Sequence, residues 1–189
     1  MKRMAEPRDT VEIVNVVAST GIGQEIDLKQ VTLGLEGADY DPKRFPGVVY
    51  RTKDPKTAAL IFRSGKIVCT GAKSINDVYK GLEKVFQSLR NIGIDVQGTP
   101  EIKVQNIVAS ADLHSVLNLN AIATGLGLEN IEYEPEQFPG LVYRLSDPKV
   151  VILLFGSGKL VVTGGKKPED MVNAVDRIVE ELNSLSLLR

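Results

Sequence analysis

Few side chains in this sequence have the type and spacing that catalysis or metal binding requires. The chain has one histidine, His114, and one cysteine, Cys69, and no set of these residues has metal-ligand spacing. Residues 156–159 (GSGK) and 70–74 (TGAKS) resemble phosphate-binding loops, but neither fits the pattern G-x-x-x-x-G-K-[ST]. We therefore expect no enzyme activity, no metal and no cofactor. Cys69 is expected to be a small buried residue on the helix-covered face of a sheet.

Aromatic side chains occur at matched positions in two parts of the chain, and they indicate another kind of chemistry. Phe45 and Phe62 are 17 residues apart, and so are Phe138 and Phe155. Paired rings near strand ends usually belong to a hydrophobic core. Phe62, however, shares its face with polar Ser64, and Phe45 precedes a Pro-Gly turn in which burial is difficult. The four rings are therefore candidates for wedges on a binding surface rather than for core residues.

Two asparagines are duplicated in the same way. Asn15 and Asn106 each begin a β-branched strand segment, and they share a face with Val17 and Val108 respectively. An asparagine at such a position is usually a solvated edge residue. As a pair, the two amides could instead supply symmetry-related hydrogen bonds at the centre of a bound ligand.

These residues lie within a tandem duplication. Residues 45–73 recur as residues 138–166, with a constant offset of 93 and 18 identical positions of 29. The earlier segment 15–19 recurs at an offset of 91, so the second copy contains a two-residue insertion between residues 118 and 130. We divide the chain into a first repeat, 1–98, and a second repeat, 99–189. The boundary near residues 96–100 is too short for a free linker, which predicts one continuous body.

Each repeat is predicted to combine strands with two helices. In the first repeat a strand includes residues 15–19, a short helix covers 27–35, and three strands lie near 47–52, 57–63 and 66–70. Ser74 is the predicted N-cap of a second helix that ends at residues 91–93, and Pro168 opens the matching helix of the second repeat. Residues 1–10 are polar and are expected to be frayed.

One face of the predicted sheet is unusually apolar. Two helices in each repeat can cover only one face, yet the other face carries Val17, Val49, Leu60, Phe62, Val68 and their repeat partners. A sheet with one wet face normally alternates apolar and polar residues more cleanly. Such a face is either a binding surface or is covered by another domain or subunit, and both alternatives remain open from the pattern alone.

The composition limits the classes of function. The sequence is 43% hydrophobic and 25% charged, its apolar runs are too short to span a bilayer, and the N terminus lacks the apolar stretch of a secretory signal. The formal net charge of −1 argues against a nucleic-acid partner, because most such domains are basic.

Several segments nevertheless carry a specific family resemblance. The segments are residues 106–110 (NIVAS), 133–144 (YEPEQFPGLVYR), 157–164 (SGKLVVTG) and 70–74 (TGAKS). Over residues 10–185 the chain resembles the TATA-box-binding proteins of the archaeal type. The resemblance implies an α+β fold, a pseudo-two-fold saddle of two tandem repeats. Its curved antiparallel sheet would have about ten strands, with helices on the convex side and DNA on the concave side.

The resemblance also implies roles for individual side chains. Asn15 and Asn106 would bind hydrogen-bond acceptors in the minor groove, and the phenylalanine pairs would kink the DNA. The further implied DNA-binding residues fall into two groups. Apolar or hydroxyl side chains would line the groove floor: Val17, Val49, Leu60, Val68, Thr70, Val108, Val142, Leu153, Val161 and Thr163. Polar or turn residues would lie near the sugar-phosphate backbone of the DNA: Pro46, Arg51, Ser64, Lys66, Pro139, Arg144, Ser157 and Lys159. Docking on an apolar face gains from dehydration, which weakens the objection from net charge.

The implied function is that of a general transcription initiation factor that bends TATA-box DNA. Glu134, Glu136 and Gln137 would contact transcription factor B, and through it the RNA polymerase machinery. No membrane partner is expected, and the apolar face could pair two copies in the absence of DNA. The expected location is the archaeal cytoplasm at the nucleoid, or the nucleus of a eukaryote. Two alternatives are an architectural DNA-bending protein without transcription partners and a small-molecule enzyme or binder built on the same duplicated sheet.

Overall fold

The computed structural model describes residues 5–188, which form nine β-strands and four α-helices. The α+β class that was predicted is confirmed. The chain folds as two compact units. One comprises Asn15–Gln105, and the other comprises the chain from Asn106 onward together with the N-terminal residues up to Val14. The division into repeats at residue 98 stays a prediction, since it concerns sequence copies rather than compactness.

The first unit is an antiparallel sheet with two helices. Its strand order is β2-β3-β4-β1. The elements are β1 (Glu12–Gly21), α1 (Leu28–Gly34), β2 (Val48–Lys53), β3 (Lys56–Ile61), β4 (Lys66–Ala72) and α2 (Ile75–Asn91). Every strand predicted for this repeat is present, with ends that differ by one or two residues at β2, β3 and β4.

Helix α2 packs against the sheet and contributes to the hydrophobic core of the first unit. Its sequence combines an N-cap residue with a continuous apolar stripe. The Ser74 hydroxyl accepts a hydrogen bond from the Asp77 N–H at 3.0 Å, which confirms the predicted N-cap. Val78, Leu82 and Leu89 follow at helical spacing and are fully buried. They face the inward side chains of the sheet, which are Val16, Ala18, Ala59, Ile61, Ile67 and Cys69.

The second unit repeats this plan with one more strand. Its order is β5-β9-β8-β7-β6. The elements are β5 (Lys103–Asp112), α3 (Leu119–Leu126), β6 (Ile131–Glu132), β7 (Leu141–Arg144), β8 (Val151–Leu154), β9 (Lys159–Gly165) and α4 (Pro168–Ser184). Pro168 opens α4, as predicted, and Met171, Val175, Ile178 and Leu182 are its buried stripe.

The implied count of about ten strands becomes nine because β6 has only a rudimentary counterpart in the first unit. Glu132 pairs with Val142 in β6 and β7, and the equivalent Asp39 pairs with Val49 as an isolated bridge. The next residue back from this bridge, Ala38, donates its N–H to the Leu35 carbonyl at 3.2 Å. Ala38 therefore belongs to the turn after α1. The two-residue insertion in the second repeat lets Ile131 extend the pairing there.

The N-terminal residues are more ordered than the sequence predicts. Pro7–Thr10 form a 3₁₀ helix, η1, that packs on α4. The Thr10 hydroxyl accepts a hydrogen bond from the Asp112 N–H at 2.8 Å, and Arg8 lies 3.8 Å from the Asp176 carboxylate. The expectation of fraying is wrong for residues 7–10, and residues 1–4 lie outside the described part of the chain. No helix among the described residues is long and apolar enough to cross a membrane.

Candidate nucleic-acid interface

In each unit the strands have one face packed under helices and one face partly exposed, which we call the open face. The two-residue period of a strand assigns the side chains. In β4, Ile67 and Cys69 are buried, whereas Val68 and Thr70 are half-exposed. The repeated strand β9 shows the same alternation. The predicted division of faces is therefore confirmed, including the position of Cys69.

The sequence-predicted DNA-binding residues all lie on the open faces or at their rims, and none of them is buried. The half-exposed members are Asn15, Val17, Phe45, Val49, Leu60, Phe62, Val68, Thr70, Asn106, Val108, Val142, Leu153, Phe155, Val161 and Thr163. The exposed members are Pro46, Arg51, Ser64, Lys66, Phe138, Pro139, Arg144, Ser157 and Lys159. Their placement is a structural observation, and their role in binding stays a prediction.

The open face of each unit has a continuous apolar row across its strands. In the first unit Val49 is opposite Leu60, and Leu60 is opposite Val68. In the second unit the same row is formed by Val142, Leu153 and Val161. Each row continues to a serine on the next strand, Ser19 or Ser110. A flat ligand on either face would meet branched aliphatic side chains first.

The asparagines lie beside glycines that fix the orientation of their amides. The Asn15 Oδ1 atom accepts a hydrogen bond from the Gly71 N–H at 2.8 Å, and Asn106 Oδ1 accepts one from the Gly164 N–H at 2.7 Å. Both glycines have positive φ angles, 86° and 97°, which side-chain-bearing residues rarely adopt. Because each carbonyl oxygen is occupied, the Nδ2 group is the part of the amide available to a ligand. The site therefore offers hydrogen-bond donors.

Thr163 makes the second asparagine more constrained than the first. The Asn106 Nδ2 atom lies 3.3 Å from the Thr163 hydroxyl oxygen, in addition to the Gly164 contact. Thr163 is also one of the residues that the family resemblance implies for DNA binding. The glycines at 71 and 164 were not predicted as part of the site, although both belong to the duplicated Thr-Gly sequence.

The four phenylalanines form two edge-to-face pairs. The ring centroids of Phe45 and Phe62 are 5.6 Å apart with a 63° interplanar angle. Those of Phe138 and Phe155 are 6.0 Å apart with a 70° angle, and Phe138 is 40% exposed. Rings of this size are normally buried, so two partly exposed pairs on one chain indicate contact surfaces.

A glycine lies under each pair of rings. A Cβ atom at Gly140 would be 2.8 Å from Phe138 Cε1 and 3.0 Å from Phe155 Cε1. A Cβ atom at Gly47 would be 3.0 Å from a Phe45 ring atom and 3.1 Å from a Phe62 ring atom. No role was predicted for these glycines, although the repeated F-P-G tripeptide was a usable signal.

Tight turns hold the second phenylalanine of each pair. The Gly65 N–H donates to the Phe62 carbonyl at 3.0 Å, and the Phe62 N–H donates to the Lys66 carbonyl at 2.9 Å. Gly65 has a φ of 93°, and a Cβ there would lie 2.1 Å from the Gln24 carbonyl oxygen. The Ser64 hydroxyl accepts from the Lys66 N–H at 3.3 Å, so it also supports the turn. The second unit repeats these contacts.

The polar rims of the two units differ. Arg144 forms an ion pair with Glu132, with 3.3 Å between guanidinium and carboxylate, and both side chains are largely exposed. Since Arg144 was expected to meet phosphates, it would have to exchange this weak partner on binding. Glu134, Glu136 and Gln137 are all exposed in the turn before Phe138.

The single cysteine and the single histidine are the other reactive side chains that the sequence analysis considered. Burial raises the pKa of the Cys69 thiol, and this effect exceeds the opposing hydrogen bond from Thr57. His114 Nδ1 lies 3.7 Å from the Asp112 carboxylate in an exposed loop. Within residues 5–188, no group of three or more histidine, cysteine, aspartate or glutamate side chains could hold a metal ion.

Comparison with known proteins gives consistent results over nearly the whole length. The family model described as Transcription factor TFIID (or TATA-binding protein, TBP) matches residues 10–92 and 101–185. The TATA-box-binding protein of Haloarcula marismortui is 71% identical over 185 residues, which cover 98% of this chain and 100% of the relative. That of Archaeoglobus fulgidus is 63% identical over 178 residues, covering 94% and 97%. The solved structure of Methanococcus jannaschii TBP matches with a TM-score of 0.82 and 54% identity, covering 92% of this chain and 98% of that one.

Proposed function

Because this chain belongs to the TATA-binding protein family of transcription factors, we propose that it binds the minor groove of TATA-box promoter DNA and kinks it to start transcription. The observation that carries this proposal is the pair of open faces. Each combines an apolar row, an asparagine donor and a partly exposed pair of phenylalanines. No enzymatic reaction is part of the proposal.

The chemistry of the open face suits A·T base pairs. In the minor groove, A·T pairs present only the acceptors adenine N3 and thymine O2, whereas G·C pairs add the guanine amino group. The Nδ2 groups of Asn15 and Asn106 supply donors for those acceptors, since their carbonyl oxygens are held by glycine N–H groups. A guanine amino group opposite Val68 or Val161 would lose its hydrogen bonds to water and gain no acceptor in return.

The phenylalanine pairs account for kinking. Proteins that bind the minor groove commonly insert apolar side chains between base steps, which unstacks the bases and bends the duplex. Phe138 is already exposed in the protein, and its partner Phe155 is half-exposed, so insertion requires no loss of core packing. Unstacking costs free energy, and burial of the rings against the bases offsets it.

The proposal includes recruitment of transcription factor B through Glu134, Glu136 and Gln137, and of RNA polymerase through that factor. The support is a cluster of exposed acidic side chains on a turn that is rigidly anchored. The Gln137 and Phe138 N–H groups both donate to the Glu134 carbonyl, at 2.9 and 3.0 Å. Such a surface suits a basic partner and favours fast, oriented association. In a cell the protein would then act at the nucleoid, or in the nucleus if the source is eukaryotic.

A gel-shift comparison of two duplexes tests the proposal. One duplex contains an eight-base-pair TATA element, and the other has G·C pairs at the same positions. Asn15→Ala and Asn106→Ala should each weaken TATA binding by about 1–3 kcal/mol, because a buried acceptor loses its donor. Both should weaken binding to the G·C duplex much less. Equal losses on the two duplexes would show that the asparagines do not read the groove.

Two further outcomes decide between the proposal and its alternatives. TATA binding without a ternary complex with transcription factor B would favour an architectural DNA-bending protein. Absence of any preference for the TATA duplex would contradict the proposed function itself.

A further inference from the structure

The turns that precede the two phenylalanine pairs have the same backbone and opposite charge. In the first unit the Arg44 and Phe45 N–H groups both donate to the Asp41 carbonyl at 3.0 Å. The second unit has the equivalent bonds to Glu134. The side chains at the turn positions are Lys43 and Arg44 in the first unit, but Glu136 and Gln137 in the second.

The cations of the first turn have little to neutralise them. Arg44 lies 3.7 Å from the Asp41 carboxylate, and its side chain is 89% exposed. An ion pair with that exposure contributes almost nothing. Lys43 is also exposed, and within the described residues no carboxylate lies within ion-pair distance of it.

A third cation lies on the turn that carries the second ring. Arg63 is exposed between Phe62 and Ser64, and its carbonyl accepts a hydrogen bond from the Ile26 N–H at 2.8 Å. The backbone of Arg63 is therefore fixed while its side chain is free to reach outward. The equivalent residue in the second unit is Gly156.

We propose that Lys43, Arg44 and Arg63 form a phosphate-binding rim for the duplex that flanks the kinked site on the side of the first unit. The inference rests on the proposed DNA binding and adds a contact outside the groove. Guanidinium and ammonium groups beside an inserted ring face the phosphates next to the unstacked step. The turn of the second unit has two carboxylates, which repel phosphates, so one end of the site gains flanking contacts and the other does not.

The first test is the salt dependence of TATA binding. Each phosphate that a protein neutralises contributes about 0.9 to the slope of log affinity against log salt. Lys43→Gln with Arg44→Gln should lower that slope by about 1.8. Between 50 and 200 mM salt the wild-type protein would then lose roughly 12-fold more affinity than the variant.

A matched control removes the same charge from the other side of the unit. Lys80 and Lys84 are exposed on α2, the helix that covers the opposite face of the sheet. Lys80→Gln with Lys84→Gln should leave the slope within about 0.5 of wild type, because these side chains contact no phosphate. Equal reductions in both variants would mean that net charge, rather than the rim, sets the salt dependence.

The second test uses the fact that only one unit has the rim. A self-complementary element, TATATATA, is placed in duplexes whose flanking phosphates are neutral methylphosphonates at neither end, one end or both ends. The wild-type protein can orient its first unit toward the end that is still charged. Neutralising one end should therefore lower the affinity for the duplex by no more than about twofold. Neutralising both ends removes the phosphate partners of all three cations and should lower the slope by about 2.7, which is more than the double variant does because that variant keeps Arg63.

Grafting the first turn onto the second unit gives the converse result. Glu136→Lys with Gln137→Arg places the same cations on the same backbone. For this variant the slope of log affinity against log salt should be steeper by about 1.8. The variant should also lose affinity when either flank is neutralised.

The outcomes separate the two proposals. TATA binding that ignores flanking charge, in both the wild-type and the grafted protein, would overturn the rim and leave minor-groove binding intact. Loss of TATA preference in the wild-type protein would instead refute the proposed function.

Discussion

The glycine beneath the second phenylalanine pair gives a sharp test of how the rings are presented. In Gly140→Ala the added Cβ would lie 2.8 Å from Phe138 Cε1, whereas ordinary contact begins near 3.4 Å, so the ring must move by about 0.6 Å. The backbone at Gly140 does not have a positive φ, so alanine is allowed there and the fold should be retained. The cost should therefore appear in DNA bending and not in stability.

The size of the effect follows from the energy of unstacking. Opening a base step costs a few kcal/mol, which a correctly placed ring offsets. A displaced pair of phenylalanine rings would offset only part of this unstacking cost. The variant should therefore lose about 2 kcal/mol of binding free energy, or roughly 30-fold in affinity. The bend is measured by fluorescence energy transfer between the ends of a TATA duplex, and stability is measured by urea unfolding.

The matched control is Gly156→Ala in the same unit. Its Cβ would meet nothing closer than the Leu117 carbonyl oxygen at 3.9 Å, although it directly follows Phe155. This variant should bend and bind DNA as the wild type does. A Gly140→Ala protein that folds normally and bends the duplex fully would refute the view that the glycine seats the rings.

Three other predictions concern the wedge, the acidic turn and a buried tyrosine. Phe155→Ala should reduce both affinity and bend, and an unchanged end-to-end distance would contradict its role as a wedge. Glu134→Arg with Glu136→Arg should leave TATA binding nearly intact but abolish the ternary complex with transcription factor B in a supershift assay; normal assembly would place that contact elsewhere. Burial, and then the 2.6 Å hydrogen bond to Glu181, raises the pKa of Tyr143 to about 12 from a usual value of 10. Since the folded-state pKa lies above the unfolded one, the free energy of unfolding should be unaffected below about pH 10 and should fall between about pH 10 and 12. The free energy of unfolding of the Tyr143→Phe variant, measured by urea titration, should fall less over that pH range. An identical fall in the variant would exclude the tyrosine as the cause.

Local pattern was sufficient to predict which side chains lie on each face. A strand exposes alternate residues, so Val68 and Thr70 could be separated from Ile67 and Cys69 without knowing what covers either face. The N-cap of α2 at Ser74 and the start of α4 at Pro168 could likewise be predicted from neighbouring residues alone. The duplication then gave an independent copy of each assignment, which reduced the ambiguity of short apolar segments.

Contacts between residues far apart in sequence could not be predicted in this way. Nothing near Asn15 shows that its carbonyl oxygen is held by Gly71, 56 residues later. The ion pair of Arg144 with Glu132 depends on the pairing of β6 with β7, which exists only because of a short insertion. The 3₁₀ helix at Pro7–Thr10 looked disordered because its partner, α4, begins more than 150 residues away.

The position of that 3₁₀ helix limits how the chain can be divided. It packs on the last helix of the second unit. Its counterparts at an offset of 91 are residues 98–101, of which Thr99, Pro100 and Glu101 lie beside α2 of the first unit. The Arg90 guanidinium donates to the Val96 and Gly98 carbonyls, and the Thr20 hydroxyl donates to the Glu101 carbonyl, which fixes the connecting segment there. A gene cut between the repeats would thus give a first fragment that lacks the connecting segment beside its own helix α2. The same fragment would carry the 3₁₀ helix that packs on α4 of the second unit. Two copies of such a fragment could complete each other only by exchanging these segments, as subunits do in a domain-swapped dimer. Fusion of the two repeats makes that exchange intramolecular and independent of protein concentration.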